Sequence, residues 1–199
     1  MLRGLDGRRV GVFGSSNDAG RTAIVNQALE QAGARVHVLS GANASDEDFH
    51  GAKYAALVLV GDEDGRSEQD PRVVQLAREF LASDKPVAAF GAALNVILDA
   101  GGVAGRTLAA HAPLRAVLEG AGAELVNDPI HADGSLITAQ GSANLSDFAG
   151  RVVAEFTDLL EEHALDEMSD LSFPASDPPA STPASLGIGA NRKVDEGRT

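Results

Sequence analysis

The chain of 199 residues contains no cysteine, and this absence excludes disulfide bonds, thiolate metal sites and cysteine nucleophiles. It has no apolar run near the ~20 residues that a membrane-spanning helix needs. The five histidines show no close metal-ligand spacing, which argues against zinc. We therefore expect no metal and no cofactor. The N-terminus enters a strand-like apolar pattern at once instead of a signal peptide, so we expect a cytoplasmic protein.

Basic residues are scarce, since 16 Lys+Arg stand against 29 Asp+Glu and give a formal net charge of -13 at pH 7. Surfaces that bind nucleic acids or anionic membranes need basic patches, so we expect neither as a partner. The acidic excess is typical of a soluble protein. The acidic stretch 62–70 lacks convergent ligand spacing, which favours a solvated loop over a cation site.

Apolar periodicity predicts an α/β fold. Short apolar runs predict strands at 8–14, 34–40, 54–61, 87–90, 106–111, 123–128 and 129–141. Within 129–141, Asp133-Gly134 is a turn dipeptide between two extended segments. Helical spacing indicates helices at 22–33, 70–85, 92–100 and 113–122, and a last helix that begins near Asn144 or Ser146. Asp70 is the expected N-cap of the second helix, with Pro71 at its first position. This alternation predicts an α/β sandwich with a mostly parallel central sheet.

The stretch KPVAAFGAALNVILDAGG, residues 85–102, predicts a buried strand, a sharp turn at Gly91 and a helix. Many α/β enzymes mount a nucleophile on such a turn. Here Gly91, Ala92 and Ala93 carry no reactive side chain. Two interpretations stay open from the residues alone: an active-site elbow that has lost its chemistry, or an ordinary turn.

The composition changes after about residue 165, where the chain becomes rich in Pro, Ser, Ala and Asp. Such a segment cannot bury enough apolar surface to offset the entropy of ordering it. The sequence therefore predicts a domain over 1–165 and a disordered or loosely attached tail over 166–199. Leu171 and Phe173 are the residues of the tail that could dock on the domain or on a second copy.

Several stretches resemble the ThiJ/PfpI superfamily, which includes intracellular peptidases, the Parkinson-linked deglycase and cofactor-independent glyoxalases. The most specific is 101–141, where GRTL, a loop, LR..L..AGAE.V and DG.LIT follow one another in the family's order. LEQAGARVHVLS, YAALVLVG and the final helix add to the likeness, which covers roughly the first 163 residues. The resemblance implies a flavodoxin-like three-layer sandwich of the class I glutamine-amidotransferase-like type. It also implies a homodimer or higher homo-oligomer.

The resemblance places the family's catalytic machinery on three loops, and this sequence departs from the pattern on each. Gly91-Ala92-Ala93 stands where the family has Cys-His-Gly, and Gly61-Asp62 stands where it has a Gly-Gly pair. The loop GSSNDAG, which should supply a glutamate, offers Asp18 as its nearest acid, although Ala19 could equally take the position. His111 follows the GRTL strand, where the family often places pocket residues. The implied vestigial pocket comprises Asp18, Gly61, Asp62, Gly91, Ala92 and His111.

The sequence thus predicts no catalytic residue. We expect a non-catalytic ThiJ/PfpI-like protein that serves as a binding, stress-related or scaffold module, similar to the domain of this type fused to large-subunit catalases. A small-molecule ligand is a possible partner. The alternative is a hydrolase or glyoxalase/lyase-type enzyme that acts on a small carbonyl compound through Asp18 or His111 and a bound water. Ser15 and Ser16 lack an adjacent base.

A phosphate-cradling function of the first loop is disfavoured by its glycine spacing. The loop follows a strand and precedes a helix, as such loops do. However, Asp18 occupies the position of the middle glycine in the Gly-x-x-x-Gly-x-Gly pattern of short-chain dehydrogenases. The single tyrosine, Tyr54, is followed four residues later by Val58, so the Tyr-x-x-x-Lys pair of those enzymes is missing as well.

Overall fold

Strands and helices alternate along the chain in a computed structural model, which describes residues 5–14, 19–39, 44–62, 70–141 and 143–170. The elements are β1 (Arg9–Gly14), α1 (Ala19–Gln31), β2 (Arg35–Val38), β3 (Ala56–Val60), α2 (Pro71–Ala82), β4 (Val87–Phe90), α3 (Leu94–Asp99), β5 (Thr107–Ala109), α4 (Ala112–Gly120), β6 (Glu124–Val126), β7 (Ile130–Asp133), β8 (Leu136–Ala139) and α5 (Leu145–Asp170). Short 3₁₀ turns cover Asp46–Phe49, Gly51–Lys53 and Gly91–Ala93. The predicted order of strands and helices is confirmed.

The central sheet has six strands in the order β2-β1-β3-β4-β8-β7. All neighbours run parallel except β7, which forms an antiparallel hairpin with β8. Strands β5 and β6 form a separate parallel pair that packs against the β7–β8 hairpin. The prediction of a mostly parallel sheet covered by helices is confirmed.

Strand β3 shows how the sequence builds two cores. Its five residues are all buried, as expected of a central parallel strand with helices on both faces. Alternate side chains point to opposite faces. Leu57 and Leu59 join the cluster formed with α2 and α3, whereas Val58 and Val60 join the cluster formed with α1 and α5. The fold is therefore an α/β sandwich of three layers.

The start of α2 follows the predicted capping chemistry. The Asp70 carboxylate accepts a hydrogen bond of 2.9 Å from the backbone amide of Arg72, and Pro71 opens α2. The third helix differs from the prediction, because residues 91–93 form a 3₁₀ turn and α3 begins only at Leu94.

The last helix buries one face through Phe148, Val152, Phe156 and Leu160. It continues to Asp170, past the predicted boundary at residue 165. Residues 171–199, with Leu171 and Phe173, lie outside the described part of the chain. Among the described residues, no helix combines the length and the apolarity required to cross a membrane.

The parallel strands give the sheet two chemically different edges. The carboxyl ends of β1, β3 and β4 meet at one edge, where Gly14, Val60 and Phe90 end their strands. In open α/β sheets this edge is where ligands commonly bind. The amino ends of the same strands meet at the opposite edge.

Candidate functional site

The predicted sharp turn follows β4 at the carboxyl edge of the sheet. Phe90 ends the strand, and Gly91 takes a φ of 62° before the chain enters the 3₁₀ turn and α3. Only glycine adopts this left-handed region without a steric cost. The structure thus contains the strand-turn-helix elbow, with a glycine in the left-handed conformation at its apex.

The backbone leaves no room for a side chain at this apex. A Cβ built on Gly91 would lie 2.6 Å from the carbonyl oxygen of Asp62 and 3.1 Å from that of Gly61. The first distance is well below van der Waals contact, and both partners are backbone atoms that cannot rotate away. Any other residue at position 91 therefore requires a shift of the segment that follows β3.

Gly61 meets the elbow equally closely from its own side. A Cβ at Gly61 would collide with the backbone nitrogen of Ala93 and lie 2.9 Å from the carbonyl carbon of Ala92. Two hydrogen bonds fix the approach: Gly61 N–H donates to Phe90 O at 3.0 Å, and Ala92 N–H donates to Asp62 O at 2.9 Å. The amide after the apex is the usual oxyanion donor of such elbows, and here a backbone carbonyl already occupies it.

The side chain of Asp62, the residue whose backbone carbonyl contacts the elbow, is also unusual. The residue is half-buried, and its Oδ1 atom is buried without a hydrogen-bond partner. Buried polar atoms are nearly always satisfied, so such an oxygen calls for a donor. The expectation of a solvated acidic loop is therefore wrong for Asp62, while Asp70 serves as a helix cap and residues 63–69 lie outside the described part.

The structure brings Gly61, Asp62, Gly91 and Ala92 together, as the resemblance implies. His111 lies at the N-cap position of α4, half-buried and without a side-chain capping bond. The strand that precedes His111, β5, is tied to β8 of the central sheet by a hydrogen bond of 2.9 Å from Ala109 N–H to Thr138 Oγ1.

Three predicted features of the first loop lie outside the described residues, namely Ser15, Ser16 and Asp18. The flanking Gly14 is described, and a Cβ there would collide with Oγ1 of Thr22 in α1. The start of α1 is thus packed directly on the end of β1. Within the described ranges, no group of three or more His, Asp or Glu side chains is arranged to hold a metal ion.

Other proteins are similar in sequence to part of this chain. An uncharacterised protein of Archaeoglobus fulgidus is 32% identical over 111 residues, which is 54% of this chain and 64% of that protein. An uncharacterised protein of Staphylococcus saprophyticus is 27% identical over 150 residues, covering 66% of this chain and 87% of that protein. The matched region therefore spans less than two thirds of the archaeal relative.

Solved structures share the fold. DJ-1beta of Drosophila melanogaster matches with a TM-score of 0.65 and 22% identity over 81% of this chain and 98% of that chain. A two-domain protein of Anabaena variabilis, with DJ-1/ThiJ/PfpI-like and ferritin-like domains, matches with a TM-score of 0.65 and 19% identity. That match covers 74% of this chain and 49% of the Anabaena chain.

The sequence pattern of the DJ-1/PfpI family matches residues 19–155, which include α1, β2 to β8 and the first part of α5. This span is well over half of the chain and contains the elbow and the segment packed against it. The resemblance noted from the residues is confirmed, and the protein belongs to the DJ-1/PfpI family.

Proposed function

We propose that this protein is a non-catalytic member of the DJ-1/PfpI family that acts as a binding or scaffold module. One observation carries the proposal. Gly91 stands at the elbow where the resemblance places the nucleophile, and the carbonyl oxygen of Asp62 lies 2.6 Å from the point where its Cβ would be. The position lacks a nucleophile and also the space for one.

The electrostatics of the elbow support the same conclusion. An oxyanion site must present donors toward developing negative charge. Here the Ala92 amide is already bonded to the Asp62 carbonyl, and the same residue carries a carboxyl group that supplies only acceptors when it is ionised. Negative charge would be repelled, not stabilised, at this point.

The same geometry suits a ligand that donates hydrogen bonds. The buried Oδ1 of Asp62 accepts none from the protein, and burying such an oxygen without a partner costs free energy that a donor would recover. The module we propose would hold a small polar molecule through an N–H or O–H group at the elbow. A stress-related, cytoplasmic role and self-association belong to the proposal.

The competing function is a hydrolase or glyoxalase/lyase-type enzyme that acts on a small carbonyl compound. The unpartnered Oδ1 of Asp62 favours it, because a free carboxylate oxygen can accept a proton from a bound water. Asp18 and His111 are the other acid and base candidates for this function.

Activity assays separate the two functions. The purified protein is tested for loss of methylglyoxal, for deglycation of a glycated amino acid and for peptide cleavage, with heat-treated protein as control. We expect no turnover above the control. Turnover that is lost in Asp62→Asn or His111→Ala, while both variants keep the wild-type melting temperature, would overturn the proposal in favour of the enzyme.

A further inference from the structure

A second concave site lies at the amino edge of the sheet, opposite the elbow. Its walls come from the residues that precede β1, β3 and β4, and from the later part of α5. The cavity has a volume of about 500 Å³, which is within the range of small-molecule sites. It shares no lining residue with the elbow.

The walls of this cavity are cationic. Arg8, Arg9, Lys53 and Lys85 line it together with the imidazole of His163, and no Asp or Glu is found among its described lining residues. The chain as a whole has 16 Lys+Arg against 29 Asp+Glu and only three lysines, two of which line this cavity. A concentration of positive charge in a protein of net charge -13 raises the local concentration of anions where the rest of the surface repels them.

In the part of the chain that the structure describes, the four basic side chains of this cavity have one carboxylate partner. The Lys85 ammonium is half-buried and donates to the carbonyl oxygens of Gly51 at 3.0 Å and Tyr54 at 3.3 Å. The Lys53 ammonium lies 3.8 Å from Asp48 Oδ1, which is at the long end for an ion pair. Arg8 and Arg9 are exposed and form no ion pair with any described residue.

Tyr54 is an uncharged residue in the lining of this cavity. Its hydroxyl lies 2.6 Å from Nδ1 of His37, and burial raises the pKa of Tyr54 to about 12. The phenol therefore stays uncharged at neutral pH and brings no negative charge to the cavity. Pro86, Leu160 and Ala164 supply apolar surface to the same walls.

Helix dipoles explain the position of only some of the basic side chains that line this cavity. Cations near the carboxyl end of a helix complement its macrodipole, and Ser83, just after α2, lines the cavity. Arg8 and Arg9 instead lie at the start of a strand, where no such dipole acts. Guanidinium groups there are suited to a planar or tetrahedral oxyanion, which they bind in bidentate fashion.

We propose that the amino-edge cavity, lined by Arg8, Arg9, Lys53, Lys85 and His163, binds a small organic molecule that carries one or two phosphate groups. The two arginines and two lysines would take the phosphate oxygens, and the apolar walls would take the organic part. This site is independent of the elbow.

Calorimetric titration with inorganic pyrophosphate tests the charge-recognition part of the site. Sodium chloride keeps the ionic strength constant, because surface attraction is screened by salt. We expect saturable binding that weakens at least about tenfold in Arg8→Gln/Arg9→Gln, since each charge-assisted hydrogen bond contributes on that order. The matched control is Arg78→Gln/Arg151→Gln, which removes the same charge from exposed helix positions outside this cavity.

The control double variant should bind pyrophosphate as the wild type does. Equal weakening in both double variants would show a general charge effect and overturn the proposal, as would the absence of saturation at millimolar pyrophosphate. Circular dichroism checks that the variants are folded, and Lys53→Gln, expected to weaken binding several-fold, provides a second test if the arginine pair proves unstable.

Amide chemical shifts locate the binding. On titration with pyrophosphate, we expect shifts at residues 51–55 and 83–85 and none at 91–94. Shifts confined to 91–94 would place the anion at the elbow and overturn the proposed site. The proposed function of the elbow and the proposed anion site at the amino edge are therefore tested independently of each other.

Discussion

The backbone amide of Ala92 donates a hydrogen bond of 2.9 Å to the carbonyl oxygen of Asp62. This bond ties the first turn after β4 to the segment after β3, at the edge of the sheet where α/β proteins usually place their ligands. It uses a donor that an enzyme of this fold would direct at its substrate. The bond also holds the Asp62 carbonyl against Gly91, which leaves no space for a side chain at the apex of the turn.

Replacing Gly91 with alanine should destabilise the protein more than the same change at another left-handed glycine. Gly134, in the β7–β8 hairpin, has a φ of 58° with nothing within 4 Å of a built Cβ. Gly134→Ala should cost roughly 1 kcal/mol for the backbone conformation alone. Gly91→Ala should cost about 1–3 kcal/mol more, because its Cβ overlaps backbone atoms. Urea unfolding measures both.

Equal unfolding free energies for the two glycine variants would contradict the close approach of Asp62 to Gly91. Ala92→Gly serves as a further control at the elbow, because it removes a buried methyl without introducing a contact.

The sequence was sufficient to predict the order of the elements, for a physical reason visible in β3 and β4. Both are short, continuous apolar runs, and both are buried on two faces. The cap of α2 was equally predictable, because Asp70-Pro71 is a local signal that depends on the adjacent backbone alone.

The details of the site depend on contacts between distant segments and were therefore harder to predict. The resemblance predicted that Gly61, Asp62, Gly91 and Ala92 lie in one pocket. No local sequence pattern, however, predicts that the Asp62 carbonyl fills the space beside Gly91. The amino-edge cavity was missed entirely. The sequence did contain a pattern that could have predicted this cavity. In a chain with few basic residues, three predicted strands begin at or just after basic side chains, namely Arg8-Arg9, Lys53 and Lys85.

The N-cap of α2 should make stability sensitive to acid. The Arg72 side chain and backbone amide hydrogen-bond the Asp70 carboxylate and hold its pKa below the ordinary 3.8. A carboxylate with a lowered folded-state pKa stabilises the fold above the unfolded-state pKa, and this stabilisation is lost as pH falls through the folded value.

Asp70→Ala should therefore lower the free energy of unfolding by about 1 kcal/mol at neutral pH. Asp70→Asn keeps a capping oxygen and should cost less. The difference between wild type and Asp70→Asn should shrink as pH falls below 3.8. Urea unfolding at neutral and acidic pH measures this, and a difference that is constant with pH would show that the carboxylate charge is irrelevant.

Self-association is expected from the resemblance to a family that assembles through surfaces near its active site. Light scattering on the purified chain should give a mass above 20.4 kDa, the mass of one copy. A monomer at micromolar concentration would contradict this expectation. It would also remove the scaffold part of the proposed function while leaving the binding part intact.

Truncation after Asp170 should leave the fold intact, because the composition of 171–199 supports no core. The melting temperature should change by less than about 2 °C, which is under ~1 kcal/mol for a chain of this size. Truncation after Glu155 is the control, since it removes the fully buried Phe156 and the buried Leu160. It should lower the free energy of unfolding by several kcal/mol, since the loss of the Phe156 side chain alone costs about 3–5 kcal/mol. A large effect of the shorter deletion would instead indicate docking of Leu171 and Phe173.

Restoring the family's chemistry at the elbow should require more than a thiol. Gly91→Cys introduces the only cysteine of the chain, so a thiol reagent reports on it without background. Its Cβ must displace the Asp62 carbonyl, and no histidine stands beside it to lower its pKa. We expect a less stable protein, a slowly reacting thiol and little loss of methylglyoxal.

The triple variant Gly91→Cys, Ala92→His and Asp62→Gly supplies the base and removes the carboxylate. A positioned base contributes on the order of 10²-fold or more, so its methylglyoxal turnover should exceed that of the single variant by about that factor. The double variant Ala92→His and Asp62→Gly, which lacks the thiol, should be inactive and shows whether turnover depends on the cysteine. Equal rates for the single and triple variants would contradict this prediction, because they would mean that neither the missing histidine nor the Asp62 carboxylate limits the reaction of a thiol at position 91.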